Sequence, residues 1–177
     1  MGQYYLICNL DKRQYLCPHS FGDGAKLMEF GGSGSGTMLG LAVLLSSGNG
    51  RGGGDLSATD SLIGSWAGDR IAIVGDYDDT GKFMNPVQIT EGGKNTNLYG
   101  YAGKYFEDIS YKVIAVLARD EWTCERMISN CFTRHSELAK ALGTTEAALK
   151  KVQKRLQKRD EAARLEDAKR LIAAEAK

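Results

Sequence analysis

Arg51 is the only long side chain in GNGRGGGD (Gly48–Asp55), and a second glycine-rich run, GGSGSGT (Gly31–Thr37), lies on the other side of an apolar segment. Guanidinium groups pair bidentately with phosphate or carboxylate, so an arginine on a pliable loop suits an anionic ligand. Thr37 can cap a helix whose body is Met38, Leu39, Leu41, Ala42, Val43, Leu44 and Leu45. The free amides and positive dipole end of that helix would then meet the loop of Gly32, Ser33, Gly34, Ser35 and Gly36. Twelve of the 22 glycines (22, 24, 31, 32, 34, 36, 40, 48, 50, 52, 53 and 54) fall in this region. Glycine costs backbone entropy, so such a density implies either close backbone approach to something or tight turns over a buried helix.

The expected chemistry is the holding of a small phosphorylated, nucleotide-like ligand without catalysis. In that expectation residues 31–37 take phosphate, Lys26 adds a positive charge, Arg51 closes over the ligand, and Trp66 or Tyr77 stacks on it. Asp69, Arg70 and Asp76 flank the same region. GGSGSGT has no lysine before Thr37, so it is not a phosphate loop of the GxxxxGK[ST] kind, and it is not a GxGxxG fingerprint either. No serine elbow, HExxH or Cys-His arrangement is present, so no catalytic residue is assigned. Asp76, Tyr77, Asp78 and Asp79 read as turn chemistry ahead of ligand chemistry. A metal-assisted nucleotide hydrolase built on Asp69, Asp76, Asp78 and His19 is a further alternative. No cofactor and no metal site are expected. Cys8, Cys17, Cys124 and Cys131 lack zinc-site spacing and read as buried free thiols in a reducing cytoplasm.

The elements that must position these residues follow from residue type. Gln3–Leu10 and Gln14–Cys17 are aromatic and β-branched, predicting an N-terminal β-hairpin that Pro18 ends. Ile71–Val74 is the strongest strand. Tyr99, Tyr101 and Tyr105 fall at near-helical spacing and read as core or dimer contacts ahead of base stacking. Ser110–Arg119 is an amphipathic helix, and Trp122–Phe132 continues in helical style. The fold class is α/β (α+β): a small mixed sheet opened by the hairpin, with packed helices, followed by a long C-terminal helix. Residues 1–135 form the domain with the glycine-rich loops, and 136–177 the helical part.

The formal net charge is +1. From Thr144 onward ten Lys or Arg oppose six Asp or Glu, a local +4, which leaves about −3 on the preceding residues. Ser136–Leu156, SELAKALGTTEAALKKVQKRL, resembles a helix-turn-helix in which Gly143 makes the turn and Leu149 and Val152 face back. On that analogy Thr145, Glu146, Lys150 and Lys151 reach base edges, and Lys154 and Arg155 reach phosphates. A seam of Leu149, Val152 and Leu156 on a helix of up to ~50 Å also fits assembly of subunits, and a homo-oligomer is favoured over DNA binding. The longest apolar segment, Met38–Leu45, is too short to span a bilayer, so a membrane partner is not expected.

Taken together, YYLICNLDKRQYLCPHSFGDGAKLMEF, GNGRGGGD and SWAGDRIAIVGDYDD resemble a family of small uncharacterised bacterial and phage proteins over roughly the first 110 residues. The resemblance implies one compact α/β domain and a phage setting, and it carries no activity. In that setting a nucleotide binder fits the role of a sponge that sequesters a nucleotide signal of antiviral defence.

Overall fold

Tyr5–Asn9 (β1) and Gln14–Leu16 (β2) pair antiparallel, with Ile7 opposite Leu16 and Asn9 opposite Gln14. The computed structural model describes residues 2–34, 36–49, 55–78, 90–91, 94–95, 97–120, 123–130 and 135–175. Asn9 shapes the hairpin turn: its side-chain oxygen accepts from the amides of Asp11 and Lys12 at 3.0 and 2.9 Å. Pro18 ends β2 as expected, opening a single 3-10 turn, Pro18–Phe21.

The chain then forms α1 (Leu27–Gly31) and α2 (Thr37–Leu45), and after a series of turns β3 (Ile71–Gly75). β3 runs antiparallel to β1, placing Leu6 opposite Val74 and Cys8 opposite Ala72. A two-stranded ladder of β4 (Thr90–Glu91) and β5 (Lys94–Asn95) leads to α3 (Leu98–Tyr105). β6 (Glu107–Asp108) lies parallel to β2, completing a mixed sheet ordered β3-β1-β2-β6. This is the α+β arrangement that the hairpin and the alternating residue types imply.

Side chains alternate across a strand, so the sheet has two apolar faces. Leu6, Cys8, Tyr15, Ala72 and Val74 lie under α3 with Ala102 and Phe106. Ile7 and Leu16 point the other way, into the larger core of α2 and α4 (Ser110–Leu117). Ile109 occupies the cap position before α4. Cys8 is buried, and desolvation pushes its thiol up to about 12. Cys17 is displaced one position beyond the Leu16–Ile7 pair, so the two thiols do not face each other across the hairpin.

Three helices follow: α5 (Cys124–Asn130), α6 (His135–Ala141) and α7 (Glu146–Glu175). Leu138, Ala139 and Leu149 join the same core as Ile114 and Leu117, so the helical part is packed onto the sheet unit through α4. The buried row of α7 differs from the expected seam. Val152 is 43% exposed, whereas Gln153 is 6% exposed. The glutamine tolerates burial because its carbonyl oxygen meets His135 Nε2 at 2.7 Å and its amide donates to the Ser129 carbonyl at 3.4 Å. No helix among the described residues is long and apolar enough to cross a membrane.

Candidate functional site

The N-terminus of α2 is occupied by the protein's own carboxylate. Asp23 Oδ2 accepts the Thr37 amide at 2.7 Å, the Thr37 hydroxyl at 2.7 Å and the Ser33 hydroxyl at 2.8 Å. It sits where a phosphate was expected, and it satisfies the same donors. A side chain at Gly36 would collide with this carboxylate, and one at Gly24 would collide with Glu29. These two glycines therefore admit internal carboxylates. Gly40 lets α2 approach the Phe21 ring and Val113. The phosphate-holding role of Ser33, Gly36 and Thr37 is revised accordingly, since a second anion beside Asp23 meets like-charge repulsion.

The other expected site residues divide between two ends of the sheet. Tyr5 N–H donates to the Ala25 carbonyl, and Asp76 N–H donates to Tyr4, both at 2.9 Å. Residues 23–34, Gly36, Thr37, Asp76 and Tyr77 thus share the end where β1 begins. Lys26 is exposed there and pairs with Glu29 at 3.5 Å. Asp76 accepts from the Tyr4 amide at 3.0 Å, and Tyr77 is 68% exposed. Asp69 and Arg70 precede β3 and lie about 20 Å away by strand rise. Asp69 is held by Lys12 and by Asn9 Nδ2, the latter at 2.7 Å. Arg70 donates Nε and a terminal nitrogen to Asp11 at 2.8 and 2.5 Å. These contacts hold both the Asp11 and Asp69 carboxyls below their ordinary range. Asp69 and Asp76 accordingly do not converge, and no group of three His, Cys, Asp or Glu among the described residues could hold a metal ion.

Trp66 cannot stack on a ligand. It is 0% exposed within the main core, and its indole N–H donates to Gln14 Oε1 at 2.9 Å. The sequence signal misses this because the polar partner lies 52 positions away. Ser35 and Arg51 lie outside the described residues. The stems of the Arg51 loop are fixed: Asn49 donates to the Leu56 carbonyl and accepts the Leu56 amide, both at 2.8 Å. They leave beyond the C-terminal end of α2, about 13 Å from Thr37 by helical rise.

A cavity of about 220 Å³ opens beside those stems, bounded by Leu39, Val43, Asn49, Leu56, Ile63 and Asp120. Asp120 is buried, and its carboxylate accepts the amide and hydroxyl of Ser57 at 2.8 and 2.9 Å.

The second candidate surface is α6, its turn and the start of α7. Gly143 is left-handed at φ 66°, its amide donates to Lys140 at 3.1 Å, and Thr144 donates to Ala139 at 2.9 Å. That double closure stops α6 and reverses the chain. Thr145 Oγ1 accepts the Ala148 amide at 3.2 Å, and Glu146 holds Lys150 at 2.5 Å. Leu149 and Gln153 face α5 and α6, while Lys151, Lys154, Arg155 and Lys158 form an exposed i, i+3, i+4, i+7 stripe on the opposite side. These four have no ion-pair partner among the described residues. Lys151, Lys154 and Arg155 are expected from the helix-turn-helix pattern, and the stripe adds Lys158. No family model, curated protein or solved structure matches the chain.

Proposed function

We propose that the chain binds duplex DNA through the α6–turn–α7 unit. The observation that carries this reading is the basic stripe of Lys151, Lys154, Arg155 and Lys158, which faces away from the helices that bury Leu149. Neutralising phosphates releases condensed counterions, and a row of cations on one helix face supplies that binding energy. The tight Gly143 turn fixes the first exposed turns of α7 relative to α6, as groove entry requires. Thr145 caps the helix and Glu146 engages Lys150, so base-edge contact falls to Lys150. Lys151, Lys154, Arg155 and Lys158 are assigned to phosphates. Paired copies, joined through the distal half of α7, would set two such units on successive half-sites. A cytoplasmic location belongs to the same proposal and agrees with the free thiols of Cys8, Cys17 and Cys124.

The test is fluorescence anisotropy with a labelled duplex at low salt. Binding at roughly micromolar protein is expected, with loss of at least ~10-fold when Lys151, Lys154, Arg155 and Lys158 are all changed to Glu. Circular dichroism of the variant checks that α7 is intact. Equal affinity of the folded variant and the parent protein refutes the proposal.

Small-ligand binding is a second proposal, favoured by a different observation. The cavity beside Asn49 and Leu56 has room for a ring, whereas the α2 N-terminus is filled by Asp23. The nucleotide-like ligand expected from the glycine loops would have to enter there.

A further inference from the structure

β3 lies at one edge of the sheet, and the direction of each main-chain group on its outer side follows from its pairing with β1. The Arg70 carbonyl accepts the Leu10 amide, and the Asp76 amide donates to the Tyr4 carbonyl, both at 2.9 Å. Residues 70, 72, 74 and 76 therefore turn their main-chain groups toward β1, and Ile71, Ile73 and Gly75 turn theirs away. Both ends of that outer row are closed. Gly75 N–H donates to Asp78 Oδ2 at 2.6 Å, and Asp69 N–H donates to the Trp66 carbonyl at 3.1 Å. Between them, Ile71 and Ile73 make no main-chain bond on this side with any described residue. Ile73 is also 38% exposed, and an apolar side chain on an open edge favours the addition of a further strand.

We propose that β3 is a joint between two copies of this chain, pairing antiparallel with itself about a twofold axis at Ala72. In that register Ile71 lies opposite Ile73 of the second copy, and the reverse holds by symmetry. The outward N–H and C=O groups of both residues are all used, and the closures by Asp78 and Trp66 mark where the ladder stops. A twofold axis at Ile73 would instead place Ile71 against Gly75, whose amide Asp78 already occupies. The side chains agree with this register. Ile71 packs on the main core and Ile73 lies on the same face, so each exposed Ile73 gains Ile71 of the second copy as its cross-strand neighbour. Charge agrees as well: Arg70 falls diagonal to Asp76 of the second copy, at about 7–8 Å and within reach of a long side chain. The two four-stranded sheets become one continuous sheet. The joint uses no residue of the α6–turn–α7 unit and is separate from pairing through α7, so it is independent of the DNA reading.

The contact is small, so a dissociation constant on the order of 100 μM is expected. Amide hydrogen exchange of the full chain, read by NMR at two protein concentrations, tests the joint and its register together. Mass action leaves about three quarters of the chain unpaired at roughly 20 μM and about one fifth at roughly 1 mM, so the Ile71 and Ile73 amides are expected to exchange about fourfold more slowly at the higher concentration. Ala72, Val74 and Gly75 serve as internal references, because their amides are already bonded within the chain. Ile73→Pro removes one outward N–H without touching the ladder to β1, a change that edge strands tolerate. Ile73→Lys places a charge at the joint. Each variant is expected to abolish the concentration dependence at Ile71, with circular dichroism checking the fold. The proposal is overturned if Ile71 and Ile73 of the parent chain exchange equally fast at both concentrations, or if a folded variant keeps the dependence. The parent measurement decides alone where neither variant folds.

Discussion

Salt dependence gives the DNA reading a number that the structure fixes in advance. Each phosphate neutralised contributes about −0.9 to the slope of log affinity against log salt. With Lys151, Lys154, Arg155 and Lys158 as the phosphate contacts, the slope is about −3.6. Raising salt from about 50 to 200 mM multiplies concentration by four, so affinity falls by roughly 150-fold. Lys154→Gln together with Lys158→Gln should halve the slope, and the same salt step then costs only about 12-fold. Glu146 gives a control of opposite sign. It holds Lys150 at 2.5 Å, and Glu146→Gln releases that lysine, steepening the slope to about −4.5 if it finds a phosphate. The assay is anisotropy of a labelled duplex at four salt concentrations. A parent slope shallower than about −1, or one that the double substitution leaves unchanged, refutes the assignment of this stripe to phosphates.

The buried row of α7 makes Leu149→Ala cost about 2–5 kcal/mol in urea unfolding, whereas Val152→Ala should stay within about 0.5 kcal/mol; the reverse order would restore the seam expected from sequence. Asp23→Ala leaves the Thr37 amide and hydroxyl without their acceptor, while the Ser33 hydroxyl keeps the Phe30 carbonyl, and should cost about 1–3 kcal/mol. If that variant instead keeps full stability and gains affinity for inorganic phosphate, the α2 N-terminus is a ligand site after all. Acid stability follows from Asp11, Asp69 and Glu107, whose carboxyls are lowered by Arg70, by Lys12 with Asn9, and by Lys112 with Gln14. Because their folded values are depressed, their contribution is present above the ordinary values of 3.8 and 4.5 and is lost as pH falls through the lower folded values. Arg70→Gln should therefore leave the urea midpoint at pH 7 nearly unchanged, since the pair is exposed, and make the fall in stability below about pH 4 shallower. An equal acid slope in parent and variant would count against the Asp11–Arg70 pair.

Local pattern made the hairpin, β3, α4 and the Gly143 turn readable, because each depends on residues within a few positions of one another. Tyr5–Asn9 alternates between two cores, and Gly143 adopts the left-handed geometry that a helix reversal demands. The α2 site failed to read for the opposite reason. Its anion comes from Asp23, fourteen positions before Thr37, and no spacing rule links a carboxylate to a helix end across an intervening helix. Residue type alone suits Trp66 to stacking, yet its one polar atom is satisfied by Gln14 inside the core. The exchange of Val152 for Gln153 has a similar origin. Hydrophobicity favours the valine, and only the positions of His135 and Ser129 make the glutamine's burial affordable. Glycine density identified where the backbone comes close to other groups, and what approaches Gly24 and Gly36 is the chain itself.

The continuity of the core decides how the basic stripe is presented. Leu138, Ala139 and Leu149 share one apolar cluster with Ile114, Leu117 and Trp66, so the first turns of α7 are anchored to the sheet through α4. Arg159 extends the anchoring by pairing with Glu125 of α5. A cation row on a free helix would have to be ordered when it met DNA, at a cost in side-chain and backbone entropy. Here the backbone of Lys151, Lys154, Arg155 and Lys158 is already fixed by Leu149 and Gln153 on the other side of the same turns. The entropy left to lose is mainly that of the four side chains, so under the DNA proposal the local charge of this stripe, rather than the net charge of +1, is the quantity expected to govern binding.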